Sequence, residues 1–189
     1  MKGIIPKEVK MKEVEIWFQD EARFGQQNSI SRVWSGKGIR PRLIRQQQYE
    51  YLYVFGAVCS ERKEAVGLMM PLVNSDAMEH HLKEISKRIS KGKHGVIILD
   101  RAGWHRSRRL EIPKNISLLM LPAYSPELNP VEQVWNYLRQ RYLSNRAFKN
   151  YEEIESSCIK AWNNFADNSD LIQSIAHRQW ASLSNTNSA

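Results

Sequence analysis

The decapeptide KGKHGVIILD (91–100) constrains the fold more than any other stretch of this chain. Its glycine-bounded run is apolar at successive positions and stops at Asp100. A strand that is hydrophobic on both faces belongs inside a sheet covered on both sides, which is the situation of parallel strands under helices. ISLLMLP (116–122) is a second run of this kind, and WHRSRRLE between them reads as a short helix. The middle of the chain therefore predicts a buried parallel pair.

The flanking segments follow other periods. EVEIWFQD (13–20) alternates Val14, Ile16 and Phe18, so it reads as a strand ending at Asp20. SRVWSGKGIRPRLIR (31–45) predicts a short strand, a glycine turn and a basic ribbon; 49–60 and 65–73 predict further strands. With little room for helices among these, an antiparallel meander is expected. Ser75 is placed to cap a helix over 76–90, in which Met78, Leu82, Ile85 and Ile89 recur at helical spacing. A proline-rich loop leads into a helix from about Pro130 to Tyr142, helices are expected over 151–166 and 170–183, and the tail SNTNSA is expected to fray. The expected class is α/β, a mixed sheet whose first strands are antiparallel and later ones parallel, flanked by helices, with all 189 residues in one domain.

Composition narrows the function classes. No apolar run approaches the ~18 residues of a membrane span, and the N-terminus lacks a signal-peptide pattern. Two cysteines, Cys59 and Cys158, are too few for a disulfide framework or a cysteine zinc site, so a reducing, cytoplasmic setting is expected. Lys plus Arg number 28 against 20 Asp plus Glu, a net +8 that suits a polyanionic partner.

Three acids stand at informative positions. Asp20 and Asp100 each close an apolar strand, where ligands gather in α/β sheets, although an aspartate there also serves as a turn or cap residue. With Asn129 as N-cap and Pro130 opening the helix, Glu132 occupies the third helical position, which suits a capping box and the positive end of the helix dipole. Val131, Val134, Trp135, Leu138 and Tyr142 form the apolar stripe, and Glu132 lies on its shoulder with Asn136 and Arg139. Three gathered carboxylates repel one another, and hard divalent cations, Mg2+ or Mn2+, remove that conflict. Two such ions ~3.5–4 Å apart serve phosphodiester displacement.

The blocks WFQDEARFG (17–25), ILDRAGWHRS (98–107) and LPAYSPELNPVEQVW (121–135) resemble the three signature blocks of bacterial insertion-sequence transposases of the mariner-like superfamily, the DDE superfamily endonucleases. The likeness runs from Glu13 to about Tyr142. It implies a ribonuclease H-like fold with a five-stranded mixed sheet, and it places Asp20, Asp100 and Glu132 as catalytic metal ligands for a pair of Mg2+ or Mn2+ ions. It further implies cleavage of double-stranded DNA at transposon ends, strand transfer of a 3′ hydroxyl into target DNA, a homodimer assembled on that DNA, and a place at the bacterial nucleoid. A ribonuclease H-like nuclease without strand transfer and an inactive DNA-binding or regulatory fragment are the alternatives. Arg101 and Gly103 depart from the second block, and the helix-turn-helix recognition region found N-terminal to the family's catalytic part is expected to be absent.

The remaining candidates are secondary. His105 is a candidate for the scissile phosphate or for supporting the metal ligands, against capping or packing. Glu21 is read as a neighbouring polar group, and His80 and His81 as surface or rim residues. Arg40, Arg42 and Arg45, then Arg106, Arg108 and Arg109, then Arg139 with Arg141, are read as contacts to the DNA backbone. Trp17, Trp135 and Trp162 are assigned to the core; Trp34 is open between core packing and stacking on a base.

Overall fold

The structure is a computed structural model and describes residues 3–27, 34–39, 46–106, 109–123 and 125–181. Five strands form one sheet: β1 (Val14–Gly25), β2 (Tyr51–Cys59), β3 (Glu64–Met70), β4 (His94–Leu99) and β5 (Ile116–Met120). Their order across the sheet is β3-β2-β1-β4-β5. The pairs β1–β2 and β2–β3 are antiparallel, whereas β1–β4 and β4–β5 are parallel, as the change from alternating to fully apolar strands predicts.

The helices are α1 (Ser75–Arg88), α2 (Val131–Leu138), α3 (Tyr151–Ala166) and α4 (Ser169–Ala176). Asparagine starts three of them. Asn74, Asn150 and Asn168 each accept a backbone N–H, from Ala77, Glu153 and Leu171 respectively, and so satisfy donors the first helical turn leaves open. The cap of α1 is therefore Asn74, one residue before the expected Ser75, because the Asn74 side chain reaches Ala77 N at 2.8 Å.

The sheet sorts its side chains with period two. Val14, Ile16, Phe18, Ala22 and Phe24 of β1 join Leu52, Val54 and Val58 of β2 under α2, α3 and α4. On the other face Trp17, Phe55, Ala57, Cys59 and Ile97 pack against Ala77, Met78, Leu82 and Ile85 of α1. The assignments of Trp17, Trp135 and Trp162 to the core hold. Gly56 and Gly67 face each other across β2 and β3, and together they leave a slot for an indole. A Cβ on Gly56 would come within 2.5 Å of Trp135 and 2.8 Å of Trp162, and one on Gly67 would overlap the Trp162 ring.

Several expectations change. β1 does not stop at Asp20 but runs five residues further, because Glu21 to Gly25 continue to pair with β2 through Tyr51–Phe55. The five-stranded sheet forms without the strand expected within 31–45: residues 34–36 are irregular, 37–38 turn, and 31–33 and 40–45 lie outside the described residues. Trp34 is fully exposed, so it is not a core residue. His81 is fully buried on α1 rather than at the surface, with its ring 5.7 Å from that of Phe55. α2 ends at Leu138, and the chain continues to Leu143 as one wide π-helical turn. Among the described residues no helix is long and apolar enough to cross a membrane.

Candidate active site

β1 and β4 deliver the two aspartates side by side. The last parallel pair between these strands is Phe18↔Ile98, and Asp20 and Asp100 each lie two residues beyond it. Phe18 and Ile98 both face the layer that contains α2, so the residues two further on start from that same face. Glu132 comes from the first turn of α2. Asn129 ties that turn to the sheet: its side-chain N–H donates to the Gln19 carbonyl at 2.8 Å, and its Oδ1 accepts from Val131 N at 3.2 Å. α2 starts at Val131 with Pro130, not the expected Asn129, at its N-cap and with Glu132 as its second rather than third residue. Asn129 instead sets the distance between Glu132 and the residue preceding Asp20. Asp20, Asp100 and Glu132 line one cavity of about 460 Å³, with Arg101, Pro122 and Ser125 in its wall.

The carboxylates differ in environment. Asp20 is largely buried and is pushed up to about 7; burial is the main cause, and the nearby charges of Glu132 and Glu21 add to it. The Trp135 indole opposes this by donating to Asp20 Oδ2 at 2.9 Å. Asp100 is exposed, and its carboxyl is held below the usual carboxylate range by the hydrogen bond from His105, with the Ala102 N–H assisting at 2.9 Å.

His105 sits between two acids. Its Nδ1 lies 2.9 Å from Asp100 Oδ1, and its Nε2 lies 2.8 Å from Glu21 Oε1. Burial works against charging this imidazole, but its bonds to Asp100 and Glu21, reinforced by their charges, prevail and lift it to about 9. Glu21 is almost completely buried and also accepts from Gln19 Nε2 at 3.0 Å and from Trp104 Nε1 at 3.4 Å. Glu21 and Trp104 therefore belong to the supporting structure of the cavity, a role their sequence positions did not reveal. The residue after Asp20 points away from it in a strand, yet β4 brings the segment after Asp100 back across that opposite face.

The donor chemistry suits a hard divalent cation, since three carboxylates from separate elements share one cavity and the most buried of them is destabilised as an anion by its acidic neighbours. Among the described residues no three His, Cys, Asp or Glu side chains already close on a single point. Asp100 is turned toward His105 and Ala102.

The predicted DNA-contacting arginines divide. Arg139 is half-buried at the end of α2, its guanidinium 5.3 Å from the Phe24 ring centre. Arg109 is exposed in a turn. Arg40, Arg42, Arg45 and Arg108 lie outside the described residues, as does the side chain of Arg106.

Comparison with known proteins accords with this architecture. The DDE superfamily endonuclease family matches residues 15–155. An uncharacterized protein, y4pE/y4sA of Sinorhizobium fredii, is 47% identical over 131 residues, covering 69% of this chain and 97% of its own length. The Tc3 transposase of Caenorhabditis elegans is 27% identical over 177 residues, covering 87% of this chain but 54% of its own. Among solved structures, the Mos1 transposase paired-end complex with the left transposon end superposes with a TM-score of 0.64 at 15% identity, covering 86% of this chain and 51% of that one. A Mos1 mariner paired-end complex with Mn gives 0.62 at 15%, covering 85% and 51%. The chain thus spans about half the length of these transposases, and its mixed five-stranded sheet is the ribonuclease H-like fold. With its matched segment running from the start of β1 into α3, the chain belongs to the DDE superfamily endonuclease family.

Proposed function

We propose that this chain is the catalytic part of a transposase, cleaving DNA at transposon ends and joining a 3′ hydroxyl to target DNA. The observation that carries this reading is the delivery of Asp20, Asp100 and Glu132 by three different elements into one cavity. Family membership supports it, and so do relatives named as transposases. Double-stranded DNA is the proposed partner, which the net charge of +8 favours, and a homodimer acting on paired ends is proposed with it.

Asp20, Asp100 and Glu132 would hold Mg2+ or Mn2+, in a pair of sites. When bound, such ions activate an attacking oxygen and stabilise a leaving one in displacement at phosphorus. The protein's contribution is position. Trp135 fixes one oxygen of Asp20. Glu21 holds His105, and His105 holds Asp100. Asn129 clamps the start of α2 to β1, so Glu132 keeps its place beside Asp20. Arg101, whose Nε donates to the Leu121 carbonyl at 2.8 Å, joins the ends of β4 and β5 at the cavity wall. Arg139 and Arg109 are proposed to meet the DNA backbone.

The test is a supercoiled plasmid carrying the element's ends, incubated with protein and Mg2+. Wild type is expected to give both cleavage and strand-transfer products. Asp100→Asn is expected to lose both while keeping its fold and its salt-sensitive DNA binding. Cleavage by the variant at the wild-type rate overturns the assignment, and cleavage without transfer from a pre-cut end assigns a nuclease instead.

A further inference from the structure

At the far end of β1 from its N-terminus, a second cleft of about 160 Å³ opens where β1, β2 and the end of α2 meet. Its lining combines two guanidinium groups and two phenol rings, from Arg23, Arg139, Tyr49 and Tyr51. Each has a defined posture. The Arg23 guanidinium lies 5.1 Å from the centre of the Tyr51 ring, and that of Arg139 lies 5.3 Å from the centre of the Phe24 ring. Tyr51 is further braced edge-on by Tyr53 at 5.8 Å. Tyr49 is 75% exposed and presents a large aromatic surface to solvent. Gly25 makes the close approach possible, because a Cβ there would come within 2.6 Å of the Tyr51 Cβ.

The cleft stands at a matched distance from the carboxylates along two independent elements. Arg23 follows Asp20 by three strand residues, ~10 Å along β1, and leaves the strand from the opposite face, so it reaches the cleft at the strand's end beside Tyr51. Arg139 follows Glu132 by seven helical residues, which returns it to the same side of the helix after ~10.5 Å. That span is about three nucleotides of one DNA strand at ~3.4 Å each. The elements that carry the acids therefore also carry the two cations, at one common offset.

We propose that this cleft binds an unpaired nucleotide of a DNA strand about three positions from the bond held at the carboxylate cavity, with its base stacked on Tyr49 and its flanking phosphates on Arg23 and Arg139. An aromatic ring open to solvent offers a stacking face that a base within a duplex cannot reach, whereas an unpaired base can. Glu50 gives a further reason to favour a nucleotide over a bare phosphate. One of its carboxylate oxygens takes the Gln26 side-chain N–H at 3.2 Å, and the group remains an acceptor in the cleft wall for the amino group of a base. The proposal takes its choice of ligand from the proposed DNA-cleaving function, but its test needs no cleavage.

The experiment measures binding by fluorescence anisotropy in EDTA, using a duplex with a short 3′ single-stranded overhang and its blunt counterpart. 2-Aminopurine placed in the overhang reports stacking through quenching. Wild type is expected to prefer the overhang and to quench the probe. Tyr49→Ala, at an exposed position whose loss leaves the fold intact, is expected to weaken overhang binding roughly tenfold, within the range measured for base–aromatic stacking, and to leave blunt binding unchanged. Tyr49→Phe is expected to restore both affinity and quenching. Arg23→Ala is expected to lower the slope of log affinity against log salt by about one. Equal wild-type affinity for the two DNAs, or an equal loss on both in Tyr49→Ala, overturns the proposal. An overhang preference in a protein that cleaves nothing leaves the cleft standing while the catalytic reading fails.

Discussion

The indole N–H of Trp135 donates to Asp20 Oδ2 at 2.9 Å, so a residue of the hydrophobic stripe of α2 holds one oxygen of the most buried acid in the cavity. Three residues earlier the same helix contributes Glu132, whose charge acts in the opposite sense and makes the Asp20 anion less favourable. α2 therefore brings the second acid and the group that steadies the first within one turn, and the Asn129 clamp to Gln19 keeps both in step with β1.

Trp135→Phe removes that donor and keeps an aromatic body in the core. A hydrogen bond to a charged group contributes about 1.5–3 kcal/mol. Without it Asp20 should be harder to ionise, and the Mg2+ concentration for half-maximal cleavage is expected to rise about tenfold. A cleavage titration checks this, with thermal melting alongside to separate loss of packing from loss of the bond. An unchanged Mg2+ requirement would show that the indole serves packing alone.

The chain Glu21–His105–Asp100 makes a second prediction. Partners behind a metal ligand typically alter metal affinity or activity 10–100-fold when removed. Glu21→Gln should loosen His105 and so the orientation of Asp100, weakening Mn2+ binding by about that factor in a calorimetric titration. Glu21→Asp, which retains the charge, should recover part of it. If Mn2+ binds Glu21→Gln as tightly as wild type, Glu21 merely fills a buried polar gap.

Much of this arrangement is legible in the order of residues because it depends on local periods. The alternating Val14, Ile16 and Phe18 and the continuous 95–99 run identify antiparallel and parallel neighbours. Asp100 follows the end of β4 and Glu132 lies in the first turn of α2 as those patterns define, whereas Asp20 lies inside β1, two residues past its last pair with β4. What escapes is what depends on the third dimension. Glu21 looks incidental beside Asp20 until the segment after β4 folds across the opposite face and sets His105 against it. His81 resembles any polar residue on a helix, yet it falls at the spacing of Ala77, Met78 and Leu82 and is carried inward with them. Trp135 reads as core, and it is core; its second role lies in one N–H whose partner is 115 residues away.

His81 also sets a pH dependence. Burial lowers this imidazole to about 3 in the folded chain, against 6.5 when unfolded. Between those values the unfolded state takes up a proton that the folded state refuses, so stability falls as pH drops, by up to about 1.4 kcal/mol per pH unit. Above the unfolded value both forms are neutral and the effect vanishes. His81→Leu should therefore stabilise the protein more at pH 5 than at pH 7.5, as measured by urea unfolding at both. An equal effect at the two pH values would mean that His81 is not kept neutral by its surroundings.

The Gly56/Gly67 slot under Trp162 yields the last prediction. Both glycines pair across β2 and β3, and α3 lays its Trp162 indole over the space that two missing side chains leave. A methyl group at Gly67 would overlap the indole where backbone and helix are both fixed, and forcing extra atoms into a packed core typically costs about 1–3 kcal/mol. Gly67→Ala alone is expected to lower the melting temperature by several degrees. Combining it with Trp162→Leu should cost less than the sum of the two single changes, since the smaller side chain yields the space the methyl needs. Strict additivity in that double-mutant cycle would show that the glycine is required for strand conformation and not for the ring above it.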